Sequence, residues 1–122
     1  MANTEHLALL KRGAVTWIEW RNINQNIEPD LSDIYLAEAN LRGANLFRAN
    51  LFKTDLFKAK LIAANLAEAN LSLANLAQAQ LLETNLIKAN LTGTNLQESD
   101  LRGADLSGAN LIGADLSYAN LQ

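Results

Sequence analysis

A leucine occupies every fifth position from Leu31 to Leu121, without a slip. Two positions before it stands a small residue, usually alanine, as at Ala39, Ala44, Ala49, Ala104, Ala109 and Ala114. The residue directly before it is usually Asn or Asp, as in Asn40-Leu41, Asp55-Leu56 and Asp115-Leu116. A period of five fits neither regular element. On an α-helix, at about 100° per residue, five steps turn each leucine by about 140° and scatter the leucines round the cylinder. On a flat strand the side-chain period is two, so successive leucines land on opposite faces. Only the small residue and the leucine, two apart, can face the same way. The chain must therefore bend once per repeat in a constant sense, and stacked coils then bury a continuous leucine column. That is a solenoid.

The other repeat positions suit this geometry. Each leucine contributes about 1.5–3 kcal/mol when fully buried. Alanine stands where the tube wall has room for little more than a methyl, and Thr54, Thr84, Thr94 and Ser99 are near-isosteric substitutes. Asn and Asp favour bends because their side chains hydrogen-bond nearby backbone. Glycine recurs two residues after the leucine, at Gly43, Gly93, Gly103, Gly108 and Gly113, another turn preference.

The tandem Ala-Asn-Leu-x-x and Ala-Asp-Leu-x-Gly units, over residues 29–122, resemble the pentapeptide-repeat proteins. The resemblance implies a right-handed quadrilateral β-helix, with one pentapeptide per side and four per coil. Five residues per side follow from the period; four sides follow from the resemblance. Residues twenty apart then stack at about 4.8 Å. Arg48, Glu68 and Lys88 become a column of alternating sign whose exposed pairs are each worth about 0–1 kcal/mol. Asn50, Asn70, Asn90 and Asn110 become a column suited to stacked amide hydrogen bonds.

Residues 1–28 differ in kind and are expected to form an α-helical cap on the all-β solenoid of residues 29–122. Asn3 or Thr4 can start a helix whose apolar residues Leu7, Leu10, Ala14, Trp17 and Ile18 fall at helical spacing, with Gly13 dividing it in two. Leu-Lys-Arg-Gly and the following Trp-Ile-Glu-Trp-Arg are similar to the leader of some cyanobacterial family members. Leu10, Trp17 and Trp20 are expected to cover the first coil's leucines, because solenoid ends need covering. Pro29-Asp30 marks the change from helix to coil. The short apolar piece Leu7–Leu10 ends in Lys11-Arg12 with no small-residue cleavage site, so a cytoplasmic location is expected.

Little in the chain suggests chemistry. Cysteine is absent, which removes disulfides, thiolate metal sites and cysteine nucleophiles. The single histidine, His6, lies in the leader, and no His/Asp/Glu cluster has metal-ligand spacing. Glu38, Glu68, Glu83 and Glu98 fall at outward positions, and a filled tube offers no pocket in which to shift a carboxylate pKa. Neither an enzyme nor a cofactor is expected. A net charge of −3 argues against direct nucleic-acid or anionic-membrane binding, and polar interruptions exclude a membrane span.

Two surfaces stand out. Phe47, Phe52, Phe57 and Ile62 each follow a leucine and are interleaved with Arg48, Lys53, Lys58 and Lys60. They form a belt round one coil. The rings either lie over neighbouring walls beneath the lysine stems or form a contact surface for an unknown protein partner. At the C-terminus, Leu106, Leu111, Leu116 and Leu121, with Tyr118, end the repeat beside unpaired strand edges. That coil either frays or supports an end-to-end homodimer, as in some family members. The function expected is a non-enzymatic protein-interaction scaffold. The alternative comes from family members that mimic B-form DNA and modulate the type II topoisomerase gyrase. Mimicry needs a strongly anionic rod, whereas Lys and Arg concentrate here in residues 42–60.

Overall fold

The bend required once per repeat is a four-residue β-turn. The leucine carbonyl accepts from the N–H of the next small residue, as with Ala39 to Leu36 at 3.1 Å and Ala64 to Leu61 at 3.0 Å. The turn's third residue has a positive φ, +64° at Glu38, +58° at Arg48 and +57° at Lys58. A side chain in this left-handed region costs about 1–2 kcal/mol, which explains why glycine recurs at this position. The Asn or Asp before the leucine braces the same corner. Asn65 Oδ1 accepts from Ala67 N–H at 3.0 Å, and Asp55 Oδ1 from Phe57 N–H at 3.1 Å.

Bending repeatedly in this way winds the chain into a solenoid. The computed structural model describes residues 2–122. Parallel bridges join residues twenty apart, from Asp30–Asn50 through Asn65–Asn85 to Asp100–Asn120. Four pentapeptides therefore complete each coil. Leu66 N–H donates to Asn85 O at 2.8 Å, Glu68 N–H to Ile87 O at 2.8 Å, and Asn85 N–H to Ala64 O at 3.0 Å. Pairing centres on one residue per side, because a corner intervenes before a longer strand can form. Every leucine of the five-residue series from Leu46 to Leu96 has 0% exposure, and the alanines two positions before them line the same core. Burial relaxes at both ends: Leu36 and Leu41 are 7% exposed, and Leu106, Leu111 and Leu116 are only partly buried.

Two wall features differ from expectation. The Asn50, Asn70, Asn90 and Asn110 column forms no continuous amide ladder, because each Oδ1 is engaged by a turn N–H, from Phe52, Ser72, Thr92 and Ile112. Where an asparagine does reach another coil, it finds a carboxylate: Asn50 Nδ2 to Asp30 Oδ1 and Asn75 Nδ2 to Asp55 Oδ1, each at 3.5 Å. The core threonines are also more than alanine substitutes. Thr54, Thr84 and Thr94 Oγ1 donate across coils to the carbonyls of Leu31, Leu61 and Leu71 at 2.6, 2.8 and 2.7 Å. Thr84→Val, nearly equal in volume, is expected to cost about 1–3 kcal/mol by removing a fully buried hydrogen bond. An unchanged midpoint in urea denaturation would contradict that role.

The leader folds as α1 (Thr4–Lys11) and α2 (Ala14–Ile23). Asn3 begins α1, its Oδ1 accepting from Glu5 and His6 N–H at 2.9 and 3.2 Å. Gly13, at φ +108°, makes the break between the helices. Leu10, 9% exposed, and Trp17, 1% exposed, join the leucine core, and Trp20 lies partly buried beside Trp17 at 5.3 Å between ring centroids. The leader also meets the first coil's backbone. In later coils Asn65 O accepts from Leu46 N–H and Ala67 O from Arg48 N–H. One coil earlier the equivalent carbonyls, Asn45 O and Phe47 O, have no preceding coil. Trp17 Nε1 donates to Asn45 O at 2.9 Å, and Arg21 Nη2 to Phe47 O at 2.8 Å. One turn apart on α2, these side chains stand in for the missing backbone donors. At the next corner Asn3 N–H donates to Asp30 O at 2.9 Å, and Asp30 N–H donates to His6 Nδ1 at 3.0 Å.

Candidate interaction surfaces

The belt residues occupy the position directly after the leucine, the second residue past each wall's bridge. Phe47, Phe52, Phe57 and Ile62 are each half-buried. The following cation stands at the corner with positive φ, and this folds it back over the preceding ring. Arg48 Cζ lies 5.2 Å from the Phe47 centroid, and Lys53 and Lys58 Nζ each lie 5.4 Å from those of Phe52 and Phe57. At such exposed sites each contact is worth about 0.5–1 kcal/mol. The belt is therefore three covered rings, each on a different side of the tube. A flat partner meets at most two adjacent sides of it.

Stacking creates apolar columns that reading along the chain does not reveal. The twenty-residue register places Phe47, Ala67 and Ile87 on one side and Ile62 with Leu82 on the next. Charge follows the same register in part. Arg48 Nη2 meets Glu68 Oε1 at 3.4 Å, while Lys88, next in that column, has no ion pair among the described residues.

At the C-terminal end, Leu106, Leu111 and Leu116 are partly buried and Leu121 is 58% exposed. The N–H groups of Leu106, Leu111 and Leu116 have no partner among the described residues. Tyr118, 90% exposed at φ +61°, stands at a corner on the outside of the tube, beside the leucines and not among them. The carboxylates with shifted acidity also lie in this half, and all move below the usual range. The Arg102 hydrogen bond does this to Asp100, and the Ser107 and Ser117 hydroxyls do it to Asp105 and Asp115. A general acid needs the opposite shift. Among the described residues no group of three His, Cys, Asp or Glu side chains could hold a metal ion, and no helix is long and apolar enough to cross a membrane.

An open cleft lies elsewhere, between the end of α2 with its following loop and the first coil's wall. It is a half-open groove of about 740 Å³ lined by Arg21, Asn45, Phe47, Arg48, Asn65 and residues of the loop, including Glu28. Arg21 is the functional candidate that sequence reasoning missed. It is 3% exposed, and burial pushes its guanidinium pKa below the ordinary arginine value. The available signal was an arginine four residues after Trp17, on the helix face that Trp17 turns inward.

The profile described as Pentapeptide repeats matches residues 30–61, 54–93 and 89–122, with 8 copies. No functionally curated protein matches the sequence significantly. Among solved structures, the chain is similar to HetL, a pentapeptide repeat protein involved in heterocyst differentiation regulation from the cyanobacterium Nostoc sp. Strain PCC 7120. Identity is 32% over 75% of this chain and 48% of HetL, with a TM-score of 0.63, so the chain spans about half of HetL's length. A pentapeptide repeat protein from the Arabidopsis thaliana thylakoid lumen is 29% identical over 76% of this chain and 68% of that one, with a TM-score of 0.61. Rfr23, from the cyanobacterium Cyanothece 51142, is 41% identical over 68% of this chain and 60% of its own, with a TM-score of 0.48.

Proposed function

Because this chain belongs to the pentapeptide-repeat family, we propose that it is a non-enzymatic solenoid scaffold that binds a protein partner through its outer wall. The observation that carries this reading is the belt: three half-buried phenylalanines on successive repeats, each beneath a cation. An aromatic ring under a mobile cation offers apolar area and charge together, which suits protein contact surfaces. HetL is involved in regulating heterocyst differentiation, and a regulatory role of that kind suits a scaffold. The finer geometry belongs to the same proposal: a right-handed quadrilateral β-helix, covered at its N-terminal end by α1 and α2, working in the cytoplasm. Self-association through Leu106, Leu111, Leu116 and Leu121 is a further part of it.

The test is affinity capture with the full chain from a native host lysate, against the Phe47→Ser/Phe52→Ser/Phe57→Ser variant. The partner set is expected to be lost or reduced about tenfold or more, in line with removal of aromatic anchors. Unchanged capture by the folded variant would remove the belt from consideration. The topoisomerase alternative ranks second, because Arg42, Arg48, Lys53, Lys58 and Lys60 give the first coils a basic girdle where a DNA mimic needs negative charge. Inhibition of gyrase supercoiling by micromolar protein would reverse that order.

A further inference from the structure

The cleft beside α2 contains an unbalanced charge. Arg21 Nη1 and Nη2 donate to the carbonyls of Ile27 and Phe47 at 2.9 and 2.8 Å, but its buried Nε has no acceptor. The ion pairs among the described residues are Arg48–Glu68 and Arg102–Asp100, so no carboxylate meets Arg21. Carbonyl oxygens satisfy a guanidinium's hydrogen bonds without cancelling its charge, and a buried charge without a counter-ion is costly. The cleft wall above it presents further donors. Asn45 and Asn65 have each Oδ1 engaged by the N–H of Phe47 and Ala67, at 3.1 and 3.0 Å. Their Nδ2 groups have no partner among the described residues. Arg48 stands at the rim, its side chain 52% exposed and its contact to Glu68 a long 3.4 Å. Such a surface pair exchanges readily for another carboxylate.

We propose that this cleft binds a short acidic peptide segment of a partner protein, a carboxylate lying between Arg48 and the Asn45 and Asn65 amides, above buried Arg21. The inference deepens the scaffold reading and rests on it. A peptide suits the site better than a small ion for two reasons. The cleft's volume of about 740 Å³ far exceeds what one inorganic anion fills. Its loop side carries the amides of Asn22, Gln25 and Asn26, which donate and accept as a peptide backbone requires, and Phe47 supplies an apolar contact. Glu28 is the one carboxylate on the lining; it is exposed and also borders, with Arg48 and Glu68, the adjoining groove.

The test is an NMR titration of the isotope-labelled full chain with acetyl-tetraglutamate amide at millimolar concentration. Acetyl-tetraglutamine amide and sodium phosphate, at matched ionic strength, serve as controls. Saturable shifts are expected at the backbone amides of Asn45, Phe47, Arg48 and Asn65 and at Arg21 Nε–H, with the glutamate peptide only. Arg48→Gln, at a half-exposed site that leaves the fold intact, is expected to weaken binding about tenfold, the loss of one charge-assisted contact. The proposal is overturned if those signals stay still, if the glutamine peptide moves them equally, or if phosphate does so as well as the peptide. It is also overturned if Glu28→Gln shifts the Arg21 Nε–H signal in the free protein while the peptide leaves that signal unmoved. Glu28 would then be the counter-ion. A negative titration with normal lysate capture rejects the cleft and leaves the scaffold standing; a positive titration supports the cleft, and a lysate that then yields no captured protein counts against the scaffold reading on which it rests.

Discussion

Replacing Trp17 with alanine is expected to destabilise the protein by about 3–5 kcal/mol, the range for removing a large buried aromatic. Trp17 is 1% exposed, packs in the leucine core and donates to Asn45 O at 2.9 Å. Truncation therefore opens a cavity and also leaves a first-coil carbonyl without its donor. Solenoid coils are stabilised by nearest neighbours, so the damage is expected to begin at residues 30–50 and weaken along the tube. Hydrogen exchange checks this directly: protection is expected to fall first at Leu31, Leu46 and Asn50, whose N–H groups bond across coils or to the chain before them, and last near Leu86. A uniform loss would contradict the proposal that the leader covers this end. Trp17→Phe isolates the hydrogen bond, since it keeps most of the apolar bulk, and is expected to cost about 1–3 kcal/mol.

Leu66→Ala is the second large effect, about 2–5 kcal/mol in urea or guanidinium unfolding. Leu66 has 0% exposure, and its column neighbours Leu46 and Leu86 are equally buried. Their backbones are held by the bridges between coils, so they cannot collapse into the space left behind. Ala64→Leu, in the same repeat, pushes extra volume into a wall where Ala64 is 1% exposed, and is expected to cost about 1–3 kcal/mol or more. Glu68→Leu, at the corner, removes only a 3.4 Å surface pair and is expected to stay within about 1 kcal/mol of the parent. Equal tolerance at Ala64 and Glu68 would contradict the division into inside and outside.

These variants can be chosen because the repeat positions are legible in the chain itself. Leucine and alanine two apart must share a face, and an Asn or Asp before the leucine must brace a bend. The positive φ at Lys53, Glu68 and Lys88 is harder to read, because a charged residue gives no hint that it occupies a place glycine would hold without strain. The Asn50 column shows another limit. Spacing makes an amide ladder plausible, but the turn N–H of Phe52 lies nearer to Asn50 Oδ1 than the next coil's amide, and the local partner wins. Threonine at positions 54, 84 and 94 reads as a slightly larger alanine until the coil stacked against it supplies a carbonyl.

The candidate sites divide in the same way. The belt of Phe47, Phe52 and Phe57 was visible along the chain because it runs with the sequence. That each cation folds over its own ring was not, since this follows from the corner's left-handed backbone. Arg21 and its cleft were hidden for a plainer reason: their partners, Ile27, Asn45, Phe47 and Asn65, lie 6 to 44 positions away. The five-residue period alone determined a tube with leucine inside, because no helix or flat strand keeps nineteen such leucines on one side. The tertiary structure decided how many repeats close a coil, which outward residues become neighbours, and which backbone groups Trp17 and Arg21 reach. Apart from the Arg21 bond to Ile27, those depend on contacts twenty or more residues apart, and a local pattern carries no information about which distant atoms will meet.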